Sequence, residues 1–178
     1  MGNLVSTVCT GCGTRAPRTA PLRAPIDAGA ELDGRPLSAT PEVVTSWRWT
    51  CGACGLTTPG VEAASKLVSQ GNLAAAACVA LEASWYADDH DPGSAVQCRE
   101  LAAWLLRRLG GRDLVVADLY RRNGDFQAAA SAARRVLGST GDSYLALLAS
   151  HQLQLAHRGD TTRQSMVDLF VLALDETG

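Results

Sequence analysis

The hydrophobic pattern of the later part of the chain has the period of an α-helix. Residues 113–138 place apolar side chains at helical spacing on both sides of a turn at Gly124. Asp125 follows this glycine as a helix N-cap. The packing stripe after the cap consists of Phe126, Ala129, Ala130, Ala133 and Leu137. The pattern therefore predicts two antiparallel helices joined by a tight turn.

Similar helical pairs are predicted on either side, over residues 72–109 and 142–175. The turn glycines Gly124 and Gly159 are 35 residues apart. A period of about 34 residues in helix–turn–helix units is typical of tetratricopeptide repeats. Residues 61–178 are therefore predicted to form a tetratricopeptide-like antiparallel helical array, with a generic antiparallel helical bundle as the alternative.

The first 60 residues carry a different pattern. Two runs rich in β-branched and aromatic side chains, residues 4–8 and 43–50, are predicted as strands. Between them, residues 14–41 are rich in proline and poor in large apolar residues. This insert is predicted as a loop with one hairpin near Asp33–Gly34. The proline-rich composition ends at Pro59–Gly60, which predicts a domain of residues 1–60 before the helical domain.

Four of the six cysteines form two CxxCG units, Cys9–Cys12 and Cys51–Cys54, with 38 residues between the pairs. Each unit places two thiolates on one tight turn, and the glycine that follows relieves left-handed backbone geometry. Four sulfur ligands suit one structural, tetrahedral Zn²⁺ ion. Rubredoxin-like iron or an iron–sulfur cluster would also accept four cysteines, and the sequence leaves that choice open.

Together these patterns predict an α+β fold that is mostly α. A small antiparallel zinc ribbon would precede the helical array. Cys78 and Cys98 fall on apolar helical stripes, and we interpret both as packing residues. The sequence contains no Ser/His/Asp arrangement, phosphate loop or paired-carboxylate site, so we expect a protein that is not an enzyme.

Composition limits the other function classes. The chain has 178 residues, of which 47% are hydrophobic and 19% charged, with a formal net charge of −2. This balance does not indicate bulk nucleic-acid or membrane-surface binding. No apolar run approaches the ~20 residues that span a bilayer, and the N-terminus lacks a signal-peptide pattern. We therefore expect a cytoplasmic protein, and the strong preference for arginine over lysine is typical of a bacterial source.

The whole chain resembles an uncharacterised bacterial family that joins a zinc ribbon to tetratricopeptide-like helices. The resemblance rests on the two CxxCG units and on residues 98–108, "CRELAAWLLRR", which are similar to an arginine- and tryptophan-rich helix of that family. The residues of the CxxCG units are Cys9, Cys12, Gly13, Cys51, Cys54 and Gly55. The family has no known activity, so the resemblance implies an architecture and no function.

Three functions remain open at this point. The first is a zinc-binding adaptor whose helical groove holds a protein or peptide, with Tyr86, Arg121 and Gln152 as candidate partner-binding residues. The second is a nucleic-acid-binding zinc-ribbon regulator in which Trp47 and Trp49 stack on bases. Strand alternation, however, places both tryptophans on one face, where they would pack against the helices. The third is a thiol-based redox switch.

Overall fold

The computed structural model describes residues 4–20, 35 and 41–164 of the chain. Within these ranges the chain forms seven helices and two antiparallel sheets of two strands each. The mostly helical α+β fold is confirmed, with a small antiparallel sheet beside a four-cysteine cluster and helices that pack against one another. The strands are β1 (Leu4–Val8), β2 (Arg15–Thr19), β3 (Trp49–Thr50) and β4 (Thr57–Thr58). The helices are α1 (Pro41–Trp47), α2 (Val61–Ser69), α3 (Leu73–His90), α4 (Pro92–Leu109), α5 (Asp113–Arg122), α6 (Phe126–Ser139) and α7 (Ser143–Arg158).

The described residues fall into two compact units. Unit 1 consists of residues 4–20 and 41–105, which include both cysteine pairs and the helices α1 to α3. Unit 2 consists of residues 35 and 106–164, which include α5, α6 and α7. The domain boundary expected at residue 60 and the assignment of the helices to the tetratricopeptide class both stay predictions.

The segment predicted as a strand over residues 43–50 is mainly a helix. α1 occupies Pro41–Trp47, and only Trp49–Thr50 is extended and paired. Proline is favoured at the start of a helix because its φ is already helical and the first N–H groups have no intrahelical partner. Val44 is fully buried, and α1 packs against α3. Tertiary burial thus outweighs the strand preference of the β-branched residues.

The segment predicted as a loop over residues 14–41 begins with a strand. β2 pairs with β1 in antiparallel register, with Val8 opposite Arg15. The pairing follows from the cysteine loop, because a tight turn after β1 brings the chain back beside it. Pro17 is tolerated within β2 because both strands of a two-stranded sheet are edge strands. The hairpin predicted near Asp33–Gly34 lies outside the described residues.

One type of turn ends three of the helices. In each turn a glycine with positive φ donates its N–H to the carbonyl three residues earlier, and the next residue donates to the carbonyl five residues earlier. The glycines are Gly71 (φ +77°), Gly124 (φ +78°) and Gly159 (φ +70°). The turns predicted at Gly124 and Gly159 are confirmed, while the turn at Gly71 was missed. Because of this turn, α3 packs along α2. The sequence pattern had instead paired α3 with the helix that ends at residue 109.

The helix predicted after Gly159, up to residue 175, lies outside the described residues from residue 165 onward. Residues 161–164, which the structure does describe, are not helical.

A charged network is buried between α5 and α7 in unit 2. Arg121 donates through Nη2 to Asp118 Oδ1 at 2.6 Å and through Nε to Gln152 Oε1 at 2.8 Å. Gln152 Nε2 donates to the same Asp118 oxygen at 3.0 Å, and Arg121 Nη1 donates to the carbonyl of Asp160 at 2.7 Å. Arg121 is 0% exposed. Because its charge is matched by Asp118 and its donors by Gln152 and Asp160, the network fixes α5 against α7.

Replacing Arg121 with alanine is predicted to destabilise the protein strongly. The substitution leaves the Asp118 carboxylate buried without its counter-charge, which typically costs about 3–5 kcal/mol of unfolding free energy. Chemical denaturation of the purified chain measures this loss. Arg158→Ala, a change at an exposed arginine of α7, is the control and is expected to cost less than about 0.5 kcal/mol. Equal midpoints for the two variants would contradict the prediction.

Candidate metal centre

The two cysteine pairs occupy equivalent loops of two hairpins. Residues 9–14 join β1 to β2, and residues 51–56 join β3 to β4. The strand residues that flank the loops face each other across each hairpin, Val8 opposite Arg15 and Thr50 opposite Thr57. Each loop therefore has six residues, with cysteines at its first and fourth positions.

The backbone hydrogen bonds of the first loop recur in the second. The first cysteine of each loop donates its N–H to the carbonyl of the sixth residue, from Cys9 to Thr14 and from Cys51 to Leu56, both at 2.9 Å. The fifth residue, a glycine, donates back to the carbonyl of the first cysteine at 2.9 Å in one loop and 2.8 Å in the other. These glycines have φ of +72° and +76°, as the glycine positions in the sequence predicted.

The loops bring all four sulfur atoms together. The Sγ atoms of Cys9 and Cys54 are 3.6 Å apart, and those of Cys12 and Cys51 are 3.7 Å apart. All four Sγ atoms lie within 4.8 Å of one another. A disulfide would require an S–S distance of about 2.05 Å, so the thiols are free. A tetrahedron of sulfurs around an ion with metal–sulfur bonds of about 2.3 Å has edges of about 3.8 Å, close to both measured distances.

Each hairpin contributes one buried and one exposed cysteine. Cys9 and Cys51 are 3% and 1% exposed, whereas Cys12 and Cys54 face the surface. The buried pair packs with Leu56, Ala63 of α2 and the partly buried Trp49. The sulfur cluster is therefore continuous with the apolar contacts that attach the hairpins to α2.

A hydrogen bond from α2 also reaches the first loop. Gln70, just after α2, donates its side-chain amide to the carbonyl of Thr10 at 2.9 Å. A second link joins β2 to the end of α1, where Arg18 Nη2 donates to the carbonyl of Trp47 at 3.3 Å. Both bonds orient the first hairpin relative to the helices of unit 1.

The thiols differ in their tendency to ionise. Hydrogen bonds from the side chain and backbone of Thr14 lower the pKa of Cys12 to about 6. At Cys54 the Leu56 amide acts to lower the pKa, but desolvation and the surrounding sulfurs outweigh it and raise the pKa to about 12. A metal ion must displace the proton held by Cys54, so binding releases protons and the affinity falls as pH is lowered.

The four cysteines predicted as metal ligands therefore form a possible four-cysteine metal site. Their donor set is soft, their spacing is that of a tetrahedral shell, and the first loop adds an N–H donor to sulfur, from Gly11 to Cys9 Sγ at 3.3 Å. Four sulfurs fill a tetrahedral shell completely, which is typical of metal ions that stabilise a fold.

The three residues predicted to bind a partner lie in different surroundings. Arg121 and Gln152 are hydrogen-bonded to each other in the core of unit 2, at 0% and 1% exposure. A side chain without accessible surface cannot contact a partner in this conformation, which corrects the expectation for these two. Asp118 and Arg121 are three residues apart on one helix, and this spacing was the signal in the sequence for an internal ion pair.

Tyr86 is partly exposed and lies in unit 1. Its ring contacts Arg48, whose Cζ is 4.5 Å from the ring centroid, and stacks on His90 at 4.3 Å between centroids. Its role in binding a partner stays a prediction.

The remaining cysteines differ from each other. Cys98 is buried with Ala83, Ala87 and Ala95, as its apolar stripe predicted. Cys78 is exposed, which corrects its interpretation as a packing residue. The buried face of α3 runs through Ala76, Ala77, Ala80 and Leu81, and Cys78 lies beside it.

Comparison of the chain with family models, with curated proteins and with solved structures gives no match. The family resemblance suggested by the CxxCG units therefore stays a prediction, and function has to be argued from the geometry. In the part of the chain that the structure describes, no helix has the length and apolar character needed for a bilayer span.

Gly11 is predicted to be required for tight metal binding. A Cβ atom at this position would lie 2.7 Å from Leu56 Cδ2 and 3.5 Å from the sulfurs of both Cys9 and Cys54. Because Leu56 is buried, Gly11→Ala requires the Leu56 side chain or the loops to shift, and we expect an affinity loss of about tenfold, within the usual cost of overpacking. Competition with a chromophoric zinc chelator measures the change.

Gly52→Ala is the matched control in the second loop. A Cβ at Gly52 meets no atom within 4 Å, so its affinity should equal that of the wild type. An unchanged affinity in Gly11→Ala, or an equal loss in both variants, would show that the approach of the loops does not depend on Gly11.

Proposed function

We propose that the protein is a zinc-stabilised, non-enzymatic adaptor that binds a protein partner through its helical surface. The observation that carries the proposal is the cluster of four sulfurs, with two opposing edges of 3.6 and 3.7 Å. Cys9, Cys12, Cys51 and Cys54 would hold the ion. Since all four positions of the shell are cysteine, no position is open for a substrate or an activated water.

Zinc is the ion we propose because the shell is made only of thiolates. Divalent zinc binds such sites more tightly than ferrous iron in the usual order of stabilities, and it imposes no geometric preference beyond the tetrahedron. Bound zinc would cross-link the two hairpins and would not take part in a reaction. Small zinc modules gain on the order of 10–16 kcal/mol from this link.

The cross-link supports our proposal of a scaffold because the cysteines pack on the helices of unit 1. Cys9 and Cys51 pack on Ala63 of α2, and α2 packs along α3. Joining the two hairpins through one ion would therefore hold the first helical pair of unit 1 at a fixed position against them.

For the partner surface we propose a groove of unit 2. It has a volume of about 340 Å³ and is lined by Arg107, Tyr120, Gln127, Ser131 and Arg135 among others. Arg135 is neutralised by Asp113, with Nη2 and Oδ1 2.6 Å apart. Among the residues that the structure describes, Arg107 donates one bond of 3.3 Å to the Tyr120 hydroxyl, which leaves further donors for a partner. Asp125 also lines the groove, so the groove suits a hydrogen-bonding segment of another protein that places an acidic side chain at Arg107.

The contacts of the two tryptophans argue against the nucleic-acid alternative. Trp47 makes an edge-to-face contact with Trp85 of α3, with 5.9 Å between ring centroids. Trp49 packs against the cluster that contains Cys9, Cys51 and Leu56. Rings engaged in this way do not form a base-stacking platform.

Capture of partners on the immobilised full chain tests the adaptor proposal. We expect a specific protein to be retained by the wild type and its retention to fall at least about tenfold with Arg107→Glu, because the reversed charge repels an acidic segment. Arg158→Glu, which changes an exposed arginine outside the groove, should retain the partner as the wild type does.

Two results would overturn this assignment. One is the absence of any protein crosslinked in stoichiometric amount under gentle lysis. The other is a partner whose retention is unchanged in Arg107→Glu or reduced equally by both variants, which would place binding elsewhere than the groove.

A further inference from the structure

A cavity of about 410 Å³ in unit 1 is separate from the sulfur cluster. It lies where the connection between α1 and β3, the start of α2, the end of α3 and the start of α4 come together. One wall is apolar and includes Val61, Ala83, Ala87 and Cys98, which belong to one packed cluster. The size falls within the usual range of about 300–1,000 Å³ for pockets that bind small molecules.

The lining of the cavity also includes an arginine with unused donors, Arg48. The Arg48 guanidinium lies over the ring of Tyr86, with Cζ 4.5 Å from the ring centroid. Stacking uses the face of the guanidinium and leaves its N–H edge available for hydrogen bonds. Among the residues that the structure describes, no carboxylate forms a salt bridge with Arg48. An unpaired guanidinium at the edge of a cavity is suited to hold a carboxylate or phosphate.

The platform beneath Arg48 is fixed by neighbouring contacts. The Tyr86 ring stacks on His90 with 4.3 Å between centroids and only 6° between planes. Both nitrogens of His90 are engaged, Nδ1 with the Tyr86 carbonyl at 2.9 Å and Nε2 with Thr45 Oγ1 at 3.1 Å. Arg48 is thereby presented on a preformed support, which lowers the entropic cost of binding.

The acidic group of the cavity is already satisfied. Asp91 accepts hydrogen bonds from both the N–H and the hydroxyl of Ser94, and these bonds lower the pKa of its carboxyl. The carboxylate therefore stays ionised at neutral pH, and the two donors of Ser94 offset part of its charge. α2 also begins at this cavity, since Gly60 and Val61 line it, and no side chain caps its N-terminus. Uncapped helix amides add to the preference of Arg48 for negative charge.

Catalysis by Cys98 does not fit the same surroundings. A nucleophilic thiol needs an adjacent base, and both nitrogens of His90 are occupied. Burial raises the pKa of Cys98, which keeps the thiol protonated at neutral pH. The cavity is therefore equipped for binding.

We propose that this cavity binds a small organic anion, a carboxylate or phosphate carried on a compact apolar body, with Arg48 as the residue that holds the anionic group. The apolar body lies against Val61, Ala83 and Ala87, and the anion lies at the Arg48 side. The site is independent of the groove of unit 2, so the protein-partner proposal and this one can fail separately.

Titration of the metal-loaded, ¹⁵N-labelled full chain with matched probes tests the site. Phenylacetate and phenyl phosphate carry the two anionic groups on the same ring, and benzyl alcohol is the neutral counterpart. We expect saturable amide shifts at Arg48, Val61 and Gln97, with at least about tenfold tighter binding of one anion than of the alcohol. The preferred anion identifies the group that the site recognises.

Variants separate the role of Arg48 from simple surface charge. Arg48→Gln is expected to weaken binding of the preferred anion about tenfold and to leave benzyl alcohol unchanged. Arg48→Lys should give an intermediate affinity because it keeps the charge and loses the planar fork. Arg15→Gln, at an exposed arginine of the same unit, should bind as the wild type does. Unchanged metal content in each variant establishes that the fold is retained.

The proposal is overturned if neither anion gives saturable shifts at these amides up to about 10 mM. It is equally overturned if the alcohol binds as tightly as the acids, or if Arg48→Gln and Arg15→Gln bind the preferred anion with the same affinity.

Discussion

Four cysteine sulfurs from two hairpins meet in the structure. Cys12 and Cys51, 39 residues apart in the chain, have their sulfurs 3.7 Å apart, and Cys9 and Cys54, 45 residues apart, have theirs 3.6 Å apart. The hairpins themselves are small, since β3 and β4 have only two residues each. Sheets of this size are marginal in water without a further link. The position of everything attached to them, including Trp49 and Leu56 against α2, depends on the sulfurs being held together.

The helices of the described chain are stabilised by different means. Alanine and leucine fill the core, so the backbones can approach closely, and glycine turns with positive φ end three of the helices. In unit 2 a buried ion pair adds polar contacts: Arg121 and Asp118 on α5 both hydrogen-bond to Gln152 of α7, which favours the register that supplies Gln152. Unit 1 combines apolar packing with its sulfur cluster, and unit 2 combines apolar packing with one polar network.

The sequence was most informative where a short motif restricts the local backbone conformation. A CxxCG unit permits few backbone conformations, so the clustering of the four cysteines and the positive φ of both glycines could be predicted from spacing alone. The Gly124–Asp125 turn was equally clear. Prediction failed where partners distant in sequence decide the outcome: Val43–Val44 became helical on packing against α3, and Arg121 became internal on meeting Asp118 and Gln152. The cavity beside Tyr86 was invisible for the same reason, because Arg48, Val61 and Cys98 are brought together only by the fold.

X-ray absorption at the zinc edge of the protein purified with its native metal tests the central claim most directly. The account predicts one zinc per chain with four sulfur neighbours at about 2.3 Å and no lighter ligand. A shell containing nitrogen or oxygen, or a full-length folded chain with no bound metal and the four thiols reactive, would contradict it.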